Sequence, residues 1–588
     1  MGSSESSYIG FVLLTIGVFN LYEVLIKNGK VVDGTGSPWY KADIGIEKDM
    51  IIDIGNLHSG SADKIIDAKG LIVSPGFIDI HSHSEITLLV NGRAESKIRQ
   101  GITTDVNGNC GHSAAPIIGL AAERIKVEMK NYGLDLDWST FEEYSKKLEK
   151  QGISINAPSF LGHADVRQAI LGNEERAPSD TELEKMKAIV DQAMKEGALG
   201  LSTGLESVPG GYANTEEIIE LCKIIAKYDG IYSTHQRNRD THYEQSTMEA
   251  IEIGKKAGVR IQLSHFVPRY PGHDKMPILL WMVDQARRED VDVTFDVITP
   301  TDAPRELLLK LRDGYHWAEQ GLTHQLIPPW GLQGTVEEVL EKLRNPEMRK
   351  RFRNEHIPQW KLFGCPKGKF KILGITYDFP NGVSPKWEAI LINNCVANPQ
   401  LIGKTLDEIA KIKKLNDPWD AAIEIVVDEI NKTKNPRASI NILGASTAER
   451  DSIMALRHPV AMVTSDRAAL VPYGLLARTR SPNSYGAFAR IFRKYVRDRG
   501  IFTLEEAVRK MTSLPANSLR LYDRGVIKIG AKADIAVFDS NKIADNATIE
   551  EPNKYADGVK YVLVNGVITL ENGEHSGAMA GKVLKLVL

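Results

Sequence analysis

The amino-acid sequence predicts an α/β protein: a TIM-like (β/α)₈ barrel, a small β-sandwich domain formed by both termini, and an insertion between barrel strands 7 and 8. Three observations support this fold class. Both chain ends are rich in short β-branched runs, the middle alternates apolar runs with amphipathic helical stretches, and potential metal ligands follow several of those runs.

The two chain ends share one sequence character. Residues 21–72 alternate short β-branched runs with Asn-Gly and Asp-Gly turns. Similar sequence returns only within residues 526–588, in the runs ADIAVFD and VKYVLVNGVITL. We therefore expect one discontinuous domain, with its first part over residues 21–72 and its second part over residues 526–588.

The middle of the chain predicts the barrel. Residues 73–300 should hold barrel strands 1–7, and residues 458–525 should hold strand 8 and the helices after it. Apolar spacing predicts a helix over Thr181–Glu196, and another begins at Asn214, with Glu217 placed to complete a capping box. The candidate strands are Leu71–Ile80, Thr103–Val106, Ile153–Leu161, Ala198–Leu201, Ile231–Thr234, Val259–Leu263, Val291–Val297 and Val460–Val463.

Residues 301–457 lie between the seventh and eighth candidate strands. A barrel loop of this length should fold as an insertion, and its charge patterns predict a mainly helical one that leans over the barrel mouth. Helices are predicted over Leu406–Lys413 and Pro418–Ile430.

Charge and cysteine content narrow the class of function. The net charge is −3 with both signs interspersed, which disfavours a nucleic-acid or membrane-surface partner and favours a small-molecule substrate. The four cysteines form no C-x-x-C pair, so neither a disulfide framework nor a structural zinc ribbon is indicated. Reduced thiols fit a cytoplasmic protein, and the sequence indicates no particular oligomeric state.

The first residues contain an uncharged, mostly apolar run, Tyr8 to Tyr22. The run is short for a membrane span, lacks a positively charged start, and shows no A-x-A cleavage site. We interpret residues 1–20 as an extension without a catalytic role. A cytoplasmic location is expected, and export or anchoring is the alternative that this run leaves open.

Six side chains of metal-ligand type follow five of the candidate strands. A lone buried histidine or cysteine is usually a core residue, but six such residues at strand ends fit that explanation poorly. In a (β/α)₈ barrel, the carboxyl ends of the strands carry the active site. The six are His81 and His83 after strand 1, Cys110 after strand 2, His235 after strand 5, His265 after strand 6 and Asp466 after strand 8.

These residue types indicate a zinc hydrolase. Imidazole and thiolate suit Zn²⁺, and a carboxylate can both bind metal and accept a proton. Zinc lowers the pKa of a bound water to about 7 and polarises a carbonyl group. The chemistry expected is hydrolysis of an amide-like bond, with Asp466 taking a proton from water and returning it to the leaving nitrogen.

Several stretches resemble one known family. The chain is similar, from Leu21 to Leu588, to the D-aminoacylase (N-acyl-D-amino-acid deacylase) branch of the amidohydrolase superfamily. The stretch GNCG is the most specific, because this branch uses a cysteine where many relatives bridge their metals with a carboxylated lysine. The matching stretches are PGFIDIHSHS (75–84), GITTDVNGNCGHSAAP (101–116), EGALGLSTGLE (196–206), YSTH (232–235), LSHF (263–266), LRHPVAMVTSD (456–466), YGAFAR (485–490), residues 505–539 and YVLVNGVITLENG (561–573).

The resemblance implies roles for the same six residues. Cys110, His235 and His265 would hold a tightly bound zinc. His81, His83 and Asp466 would form a weaker second position, filled or empty, with Cys110 able to bridge the two. Asp466 would also be the general base.

The positions at which the family binds its substrate differ in this sequence. The family holds the amino-acid carboxylate with a lysine after the strand-6 histidine, tyrosines after strands 4 and 7, and an arginine in an H-P-R motif. Here Val267, Ser207 and Asn483 stand near three of those positions, and strand 7 reads Asp-Val-Ile-Thr-Pro. Candidate substrate-binding residues from displaced positions are His163, Tyr212, Arg269, Arg478 and Arg480.

We therefore predict a zinc-dependent amidohydrolase that cleaves a linear amide, such as that of an N-acyl-D-amino acid, to a carboxylate and a D-amino acid. The departures keep open a cyclic amide of the hydantoin or dihydropyrimidine type, a dipeptide or another N-acyl compound. A non-catalytic scaffold on this fold is the third alternative, and the six filled ligand positions disfavour it.

Overall fold

The computed structural model of the protein describes residues 21–586 except for 208, 241, 270–273, 303–314, 357–367, 373–374, 380–386, 437, 439 and 479–480. The predicted extension, residues 1–20, lies outside the described residues. Among the residues that the structure does describe, no helix has both the length and the apolar character that a membrane crossing needs.

The described strands, in chain order, are β1 (Leu21–Val31), β2 (Tyr40–Glu47), β3 (Met50–Gly55), β4 (Ser61–Asp67), β5 (Ile72–Pro75), β6 (Phe77–Asp79), β7 (Ile102–Asp105), β8 (Leu161–Gly162), β9 (Gly200–Gly204), β10 (Ile231–His235), β11 (Arg260–Leu263), β12 (Val293–Ile298), β13 (Tyr315–Gly321), β14 (Gly368–Ile372), β15 (Ile375–Phe379), β16 (Ile390–Asn394), β17 (Asn441–Ala448), β18 (Ala461–Thr464), β19 (Ile535–Phe538), β20 (Val559–Val564), β21 (Val567–Glu571) and β22 (Glu574–His575).

The described α-helices cover Thr87–Val90, Glu95–Ile98, Gly119–Asn131, Phe141–Gln151, His163–Leu171, Asp180–Lys195, Thr215–Ala226, Tyr243–Ala257, Met276–Arg288, Leu322–Leu326, Val336–Arg344, Pro346–His356, Leu406–Ile412, Pro418–Thr433, Glu449–Arg457, Pro482–Arg490, Leu504–Met511 and Ser513–Ser518, and a π-helix covers Ile491–Asp498.

Eight parallel strands form the barrel. Strands β8 to β12 and β18 pair in that order, and β6 pairs with β7. Parallel bridges of Thr104 with Asn156 and of Asn107 with Ser159 join β7 to the segment before β8. The Asp466 amide donates to the His81 carbonyl oxygen at 3.1 Å and joins β18 back to β6. The predicted (β/α)₈ barrel is confirmed, and every candidate strand contains or overlaps an observed one.

One predicted strand is two strands. The run Leu71–Ile80 divides into β5, which pairs with β19 in the terminal sheet, and β6, which starts the barrel. Gly76 lies between them, and a Cβ atom there would come within 2.2 Å of the Thr103 side chain. The chain therefore passes from one sheet to the other at a residue that must lack a side chain.

Buried charges join the first, second and last barrel strands. Lys97 Nζ lies 2.6 Å from Asp79 Oδ2 and 3.1 Å from Asp105 Oδ1, and all three side chains are fully buried. Asp79 Oδ1 also accepts hydrogen bonds from Thr464 Oγ1 and the Ser465 amide. Burial lowers the pKa of Lys97, but the two carboxylates outweigh burial and raise it. This network joins β6 and β18 at their last residues, Asp79 and Thr464.

The two chain ends form one β domain. Hydrogen bonds join nine strands, in the order β22-β21-β20-β19-β5-β1-β2-β3 with β4 also on β1. The first part of β1 pairs with β4 and its last residues pair with β5, so the sheet branches along this strand. Apolar side chains from both branches share a core that includes Val24, Ile44, Ile66 and Ile535.

Most of a second apolar core lies in the insertion, and it includes Trp419 and other residues of its helix. The predicted helices are observed as Leu406–Ile412 and Pro418–Thr433. The sequence analysis missed the sheet β13-β17-β16. The three strands pair across long sequence separations, and β13 and β17 carry glycine, alanine and polar residues, so a local pattern could not reveal the sheet. A bridge of Thr447 with Arg269 places the end of β17 against the loop after β11.

Candidate metal centre

The structure brings the six strand-end residues together in two groups that share Cys110. One group is His81, His83, Cys110 and Asp466, and the other is Cys110, His235 and His265. Within each group, the candidate ligand atoms all lie within 4.8 Å of one another. The barrel places them there because each residue lies at the carboxyl end of its strand or in the loop that follows it.

The donor spacing of the second group fits a zinc ion. Cys110 Sγ lies 3.6 Å from His235 Nδ1 and 3.6 Å from His265 Nε2. Zinc bonds of about 2.3 Å to sulfur and about 2.0 Å to nitrogen, set at a tetrahedral angle, separate the two ligand atoms by about 3.5 Å. One thiolate and two imidazoles at this spacing are therefore a suitable set of zinc ligands.

The first group is built around Asp466. Its Oδ1 lies 3.0 Å from His83 Nε2 and 3.4 Å from His81 Nε2. His81 Nε2 also lies 3.3 Å from Cys110 Sγ, which connects the two groups through the thiol. A mixed set of carboxylate, imidazole and shared thiolate could hold a second ion beside the first.

The surroundings of Cys110 and Asp466 favour the deprotonated forms of these residues, a thiolate and a carboxylate. Burial raises the pKa of the Cys110 thiol, but the charge of His81 and hydrogen bonds from His235 and His265 outweigh it and lower the pKa well below its usual value. The Asp466 carboxyl is likewise held far below its usual pKa, because His81 and His83 outweigh the effect of burial. Metal ligands bind in these deprotonated forms.

The histidines of the two groups differ. Burial opposes the charge on His83, but hydrogen bonds to Asp466 and Cys110 raise its pKa to about 10. Burial, Arg239 and His235 lower the pKa of His265 to about 4, so its imidazole is neutral near pH 7. A neutral imidazole is the form that binds a metal, and His265 is therefore ready to do so without losing a proton.

Three of the candidate ligands have left-handed backbone conformations. The φ angles are +53° at Cys110, +39° at His265 and +50° at Asp466. For residues other than glycine this conformation costs about 1–3 kcal/mol each and concentrates at functional sites. Gly204 lets the Cys110 loop approach, because a Cβ atom on Gly204 would come within 2.2 Å of the Cys110 carbonyl oxygen.

Two buried carboxylates, Asp296 and Glu206, contact the candidate histidine ligands. Asp296 Oδ1 accepts from the His265 amide at 2.7 Å, and Asp296 Oδ2 lies 3.5 Å from His81 Nδ1. Glu206 Oε2 lies 2.8 Å from His235 Nε2. The sequence analysis assigned these carboxylates no role. The alternation of Asp79, His81 and His83 on one side of a strand could have indicated Asp79, but Asp296 and Glu206 meet their histidines only in the fold.

Two predicted substrate-binding residues have other partners. His163 is fully buried, and its Nε2 lies 2.9 Å from Glu217 Oε1, so it does not line an open pocket. The same contact explains why Glu217 completes no capping box on Asn214, whose side chain still accepts from the Glu217 amide. Arg269 Nη2 donates to Glu206 Oε1 and is therefore already paired with a carboxylate.

The remaining predicted substrate-binding residues are Tyr212, Arg478 and Arg480. Tyr212 is partly exposed in a short 3₁₀-helix after β9, Gly210–Tyr212. The backbone of Arg478 ends another, Gly474–Arg478, whereas Arg480 lies outside the described residues. Asn483, in the place of the family's arginine, accepts through Oδ1 from Arg490 Nη1 and Thr301 Oγ1, both at 2.8 Å.

A histidine close to Cys110 in the sequence contacts a carboxylate, and two other described cysteines are buried. His112 Nδ1 lies 3.2 Å from Asp165 Oδ1. Cys222 and Cys395 are buried free thiols, and Cys365 lies outside the described residues.

Comparison with known proteins agrees with this geometry. A family model described as an amidohydrolase family matches residues 64–346 and 404–570. D-aminoacylase from Alcaligenes xylosoxydans xylosoxydans is 30% identical over 566 residues, covering 96% of this chain and 97% of that protein.

The chain belongs to the D-aminoacylase branch of the amidohydrolase family. Two solved structures of this branch show how closely this amidohydrolase follows it. The N-acyl-D-glutamate deacylase of Bordetella bronchiseptica, complexed with zinc and a phosphonate inhibitor, matches with a TM-score of 0.72 and 28% identity over 96% of this chain and 100% of that one. A D-aminoacylase structure concerned with one-metal activation and second-metal attenuation of a binuclear centre matches with the same TM-score, 28% identity and the same coverage.

Proposed function

We propose that this amidohydrolase is a zinc-dependent hydrolase that cleaves the linear amide of N-acyl-D-amino acids to a carboxylate and a D-amino acid. The observation that carries the proposal is the zinc-compatible spacing of Cys110, His235 and His265 at the barrel mouth. The similarity to D-aminoacylase over nearly the whole chain supports the choice of substrate class.

The proposed metal content is one tightly bound zinc and a second that is weaker or absent. Cys110, His235 and His265 would hold the first, and His81, His83 and Asp466, with Cys110 shared, would hold the second. When bound, zinc supplies Lewis acidity toward water and toward the acyl carbonyl of the substrate. The D-aminoacylase structure described by one-metal activation and second-metal attenuation supports unequal positions.

Asp466 is proposed as the general base. An aspartate is ionised near neutral pH, so the Asp466 carboxylate can accept a proton from the attacking water. His83 holds Asp466 Oδ1 at 3.0 Å and fixes the direction of that oxygen. The protonated carboxyl then returns the proton to the amide nitrogen, which leaves as the amine.

A second substrate class is favoured by the polar groups around the site. Arg269 is paired with Glu206, and the Asn483 side-chain oxygen is held by Arg490 and Thr301. A neutral asparagine binds a free carboxylate less strongly than an arginine does. The alternative is therefore the same chemistry on a cyclic amide, a dipeptide or another N-acyl compound.

A substrate panel separates these functions. The zinc-loaded protein is given N-acetyl-D- and N-acetyl-L-amino acids, their carboxamides, hydantoins and D,D- and L,L-dipeptides, and product formation is measured. We expect kcat/KM for the N-acetyl-D-amino acids to exceed that for the L-isomers by at least about 100-fold, which corresponds to roughly 2.7 kcal/mol of differential transition-state binding. Faster hydrolysis of carboxamides or hydantoins would contradict recognition of a free carboxylate.

A further inference from the structure

The two zinc-binding imidazoles of the Cys110 group are supported differently. His235 faces Cys110 with Nδ1 and places Nε2 2.8 Å from Glu206 Oε2. His265 faces Cys110 with Nε2, and within the described residues its buried Nδ1 has no hydrogen-bond partner. Glu206 thus forms a hydrogen bond with the imidazole of His235.

Glu206 is in turn held by a buried arginine. Arg269 Nη2 donates to Glu206 Oε1 and lies 3.4 Å from Asp240 Oδ2. The Glu206 and Arg269 side chains are 5% and 13% exposed, so water screens their interaction little. The Arg269 amide donates to the Arg239 carbonyl oxygen at 2.8 Å, which fixes the backbone of this loop. The carboxylate therefore has a fixed position and a compensated charge.

We propose that Glu206 and Arg269 are positioning residues that set the zinc affinity of the Cys110, His235 and His265 group by fixing the tautomer of His235. When His235 Nε2 is protonated and donates to Glu206, His235 Nδ1 is unprotonated and its lone pair faces Cys110 Sγ. A carboxylate that accepts from the far nitrogen also makes the imidazole a stronger electron donor to a metal.

This assignment replaces the role predicted for Arg269 from the sequence. Arg269 would not grip a substrate carboxylate; it would act through Glu206 on a metal ligand. The inference rests on the zinc centre of the proposed function, and its test is a zinc-binding measurement that needs no substrate.

The chain offers a matched control. Glu249 and Arg237 form a second buried carboxylate–guanidinium pair, with Arg237 Nε 2.9 Å from Glu249 Oε2 and side-chain exposures of 5% and 1% for Arg237 and Glu249. Arg237 lies two residues after His235, but its other hydrogen bonds go to the carbonyl oxygens of Gly211 and Ala213. Replacing Glu249 therefore removes a buried ion pair close to His235 and leaves the hydrogen bonds of the candidate ligands unchanged.

The experiment compares the zinc dissociation constants of the wild type, Glu206→Gln and Glu249→Gln by competition with a chromophoric chelator. We expect Glu206→Gln to raise the constant by about 10- to 100-fold, the usual effect of removing such a partner, and Glu249→Gln to leave it within about twofold. With cobalt(II) in place of zinc, the visible absorption bands should shift in Glu206→Gln only. Equal zinc constants and equal spectra in the two variants would overturn the proposal.

A second variant tests whether weaker zinc binding results from misfolding. The double variant Glu206→Leu/Arg269→Met removes both members of the carboxylate–guanidinium pair, so neither is left buried without the other. It should unfold near the wild-type temperature without metal and still bind zinc about 10-fold or more weakly. Wild-type zinc affinity in the folded double variant would overturn the inference, whereas absence of zinc binding by the wild type would instead overturn the proposed function.

Discussion

Cys110→Ser is expected to lose the tightly bound zinc and nearly all hydrolytic activity. The thiolate is shared by both ligand groups, and a serine hydroxyl does not ionise near neutral pH as this thiol does. Lewis-acid stabilisation is worth several kcal/mol, so kcat/KM should fall by about 10³-fold or more. Zinc content per chain and hydrolysis of an N-acetyl-D-amino acid are measured on the same sample.

Cys222→Ala is the control for Cys110→Ser. Cys222 is a fully buried thiol on the helix Thr215–Ala226, apart from either ligand group. Its loss should cost about 1 kcal/mol of stability and leave zinc content and kcat/KM near wild type. A Cys110→Ser protein that keeps one zinc and wild-type activity would exclude the thiolate as an essential ligand.

Asp466→Asn is expected to separate zinc binding from catalysis. Asparagine cannot accept the proton, and a general base contributes about 10²–10⁴-fold to the rate, so kcat should fall by that factor. The Cys110, His235 and His265 group lacks this carboxylate and should keep its zinc. Steady-state kinetics and metal analysis of the purified variant provide the measurement.

Asp292→Asn is the matched control for Asp466→Asn. Asp292 is an exposed carboxylate that precedes β12, at the end of the barrel opposite the strand-end residues. Its replacement should leave kcat unchanged. A comparable loss of kcat in both variants, or normal turnover by Asp466→Asn, would remove Asp466 from the proposed role.

Much of the barrel could be predicted because its information is local. Each strand is a short apolar run, and active sites occupy the carboxyl ends of barrel strands, so the sequence alone predicts that His81, His83, Cys110 and Asp466 lie near one another. The helices Asp180–Lys195 and Pro418–Thr433 were predictable for the same reason, since helical periodicity lies within one segment.

The supporting contacts could not be predicted because they join distant segments. Glu206 meets Arg269 across 63 residues and meets His235 across 29, and no local pattern specifies either pair. Sequence position made Arg269 a plausible substrate cation, but its guanidinium is taken by a buried carboxylate. Likewise, Glu217 had the spacing of a capping box, yet its side chain binds His163 and Arg167.

The His81 and His83 pair first indicates a metal site in the sequence, but the structure gives the shared thiol a more central position. Cys110 Sγ contacts His81, His235 and His265 at 3.3–3.6 Å. A thiolate that contacts imidazoles from three strands organises both ligand groups. The most specific sequence motif, GNCG, therefore coincides with the centre of the geometry.

Zinc titration of the metal-free wild-type protein tests the central claim most directly. The chelator-treated protein receives stepwise equivalents of zinc, and hydrolysis of an N-acetyl-D-amino acid is followed at each step. The account predicts negligible activity without zinc and a maximum at one equivalent per chain. Full activity in the metal-free protein, or activity that does not respond to zinc, would contradict it.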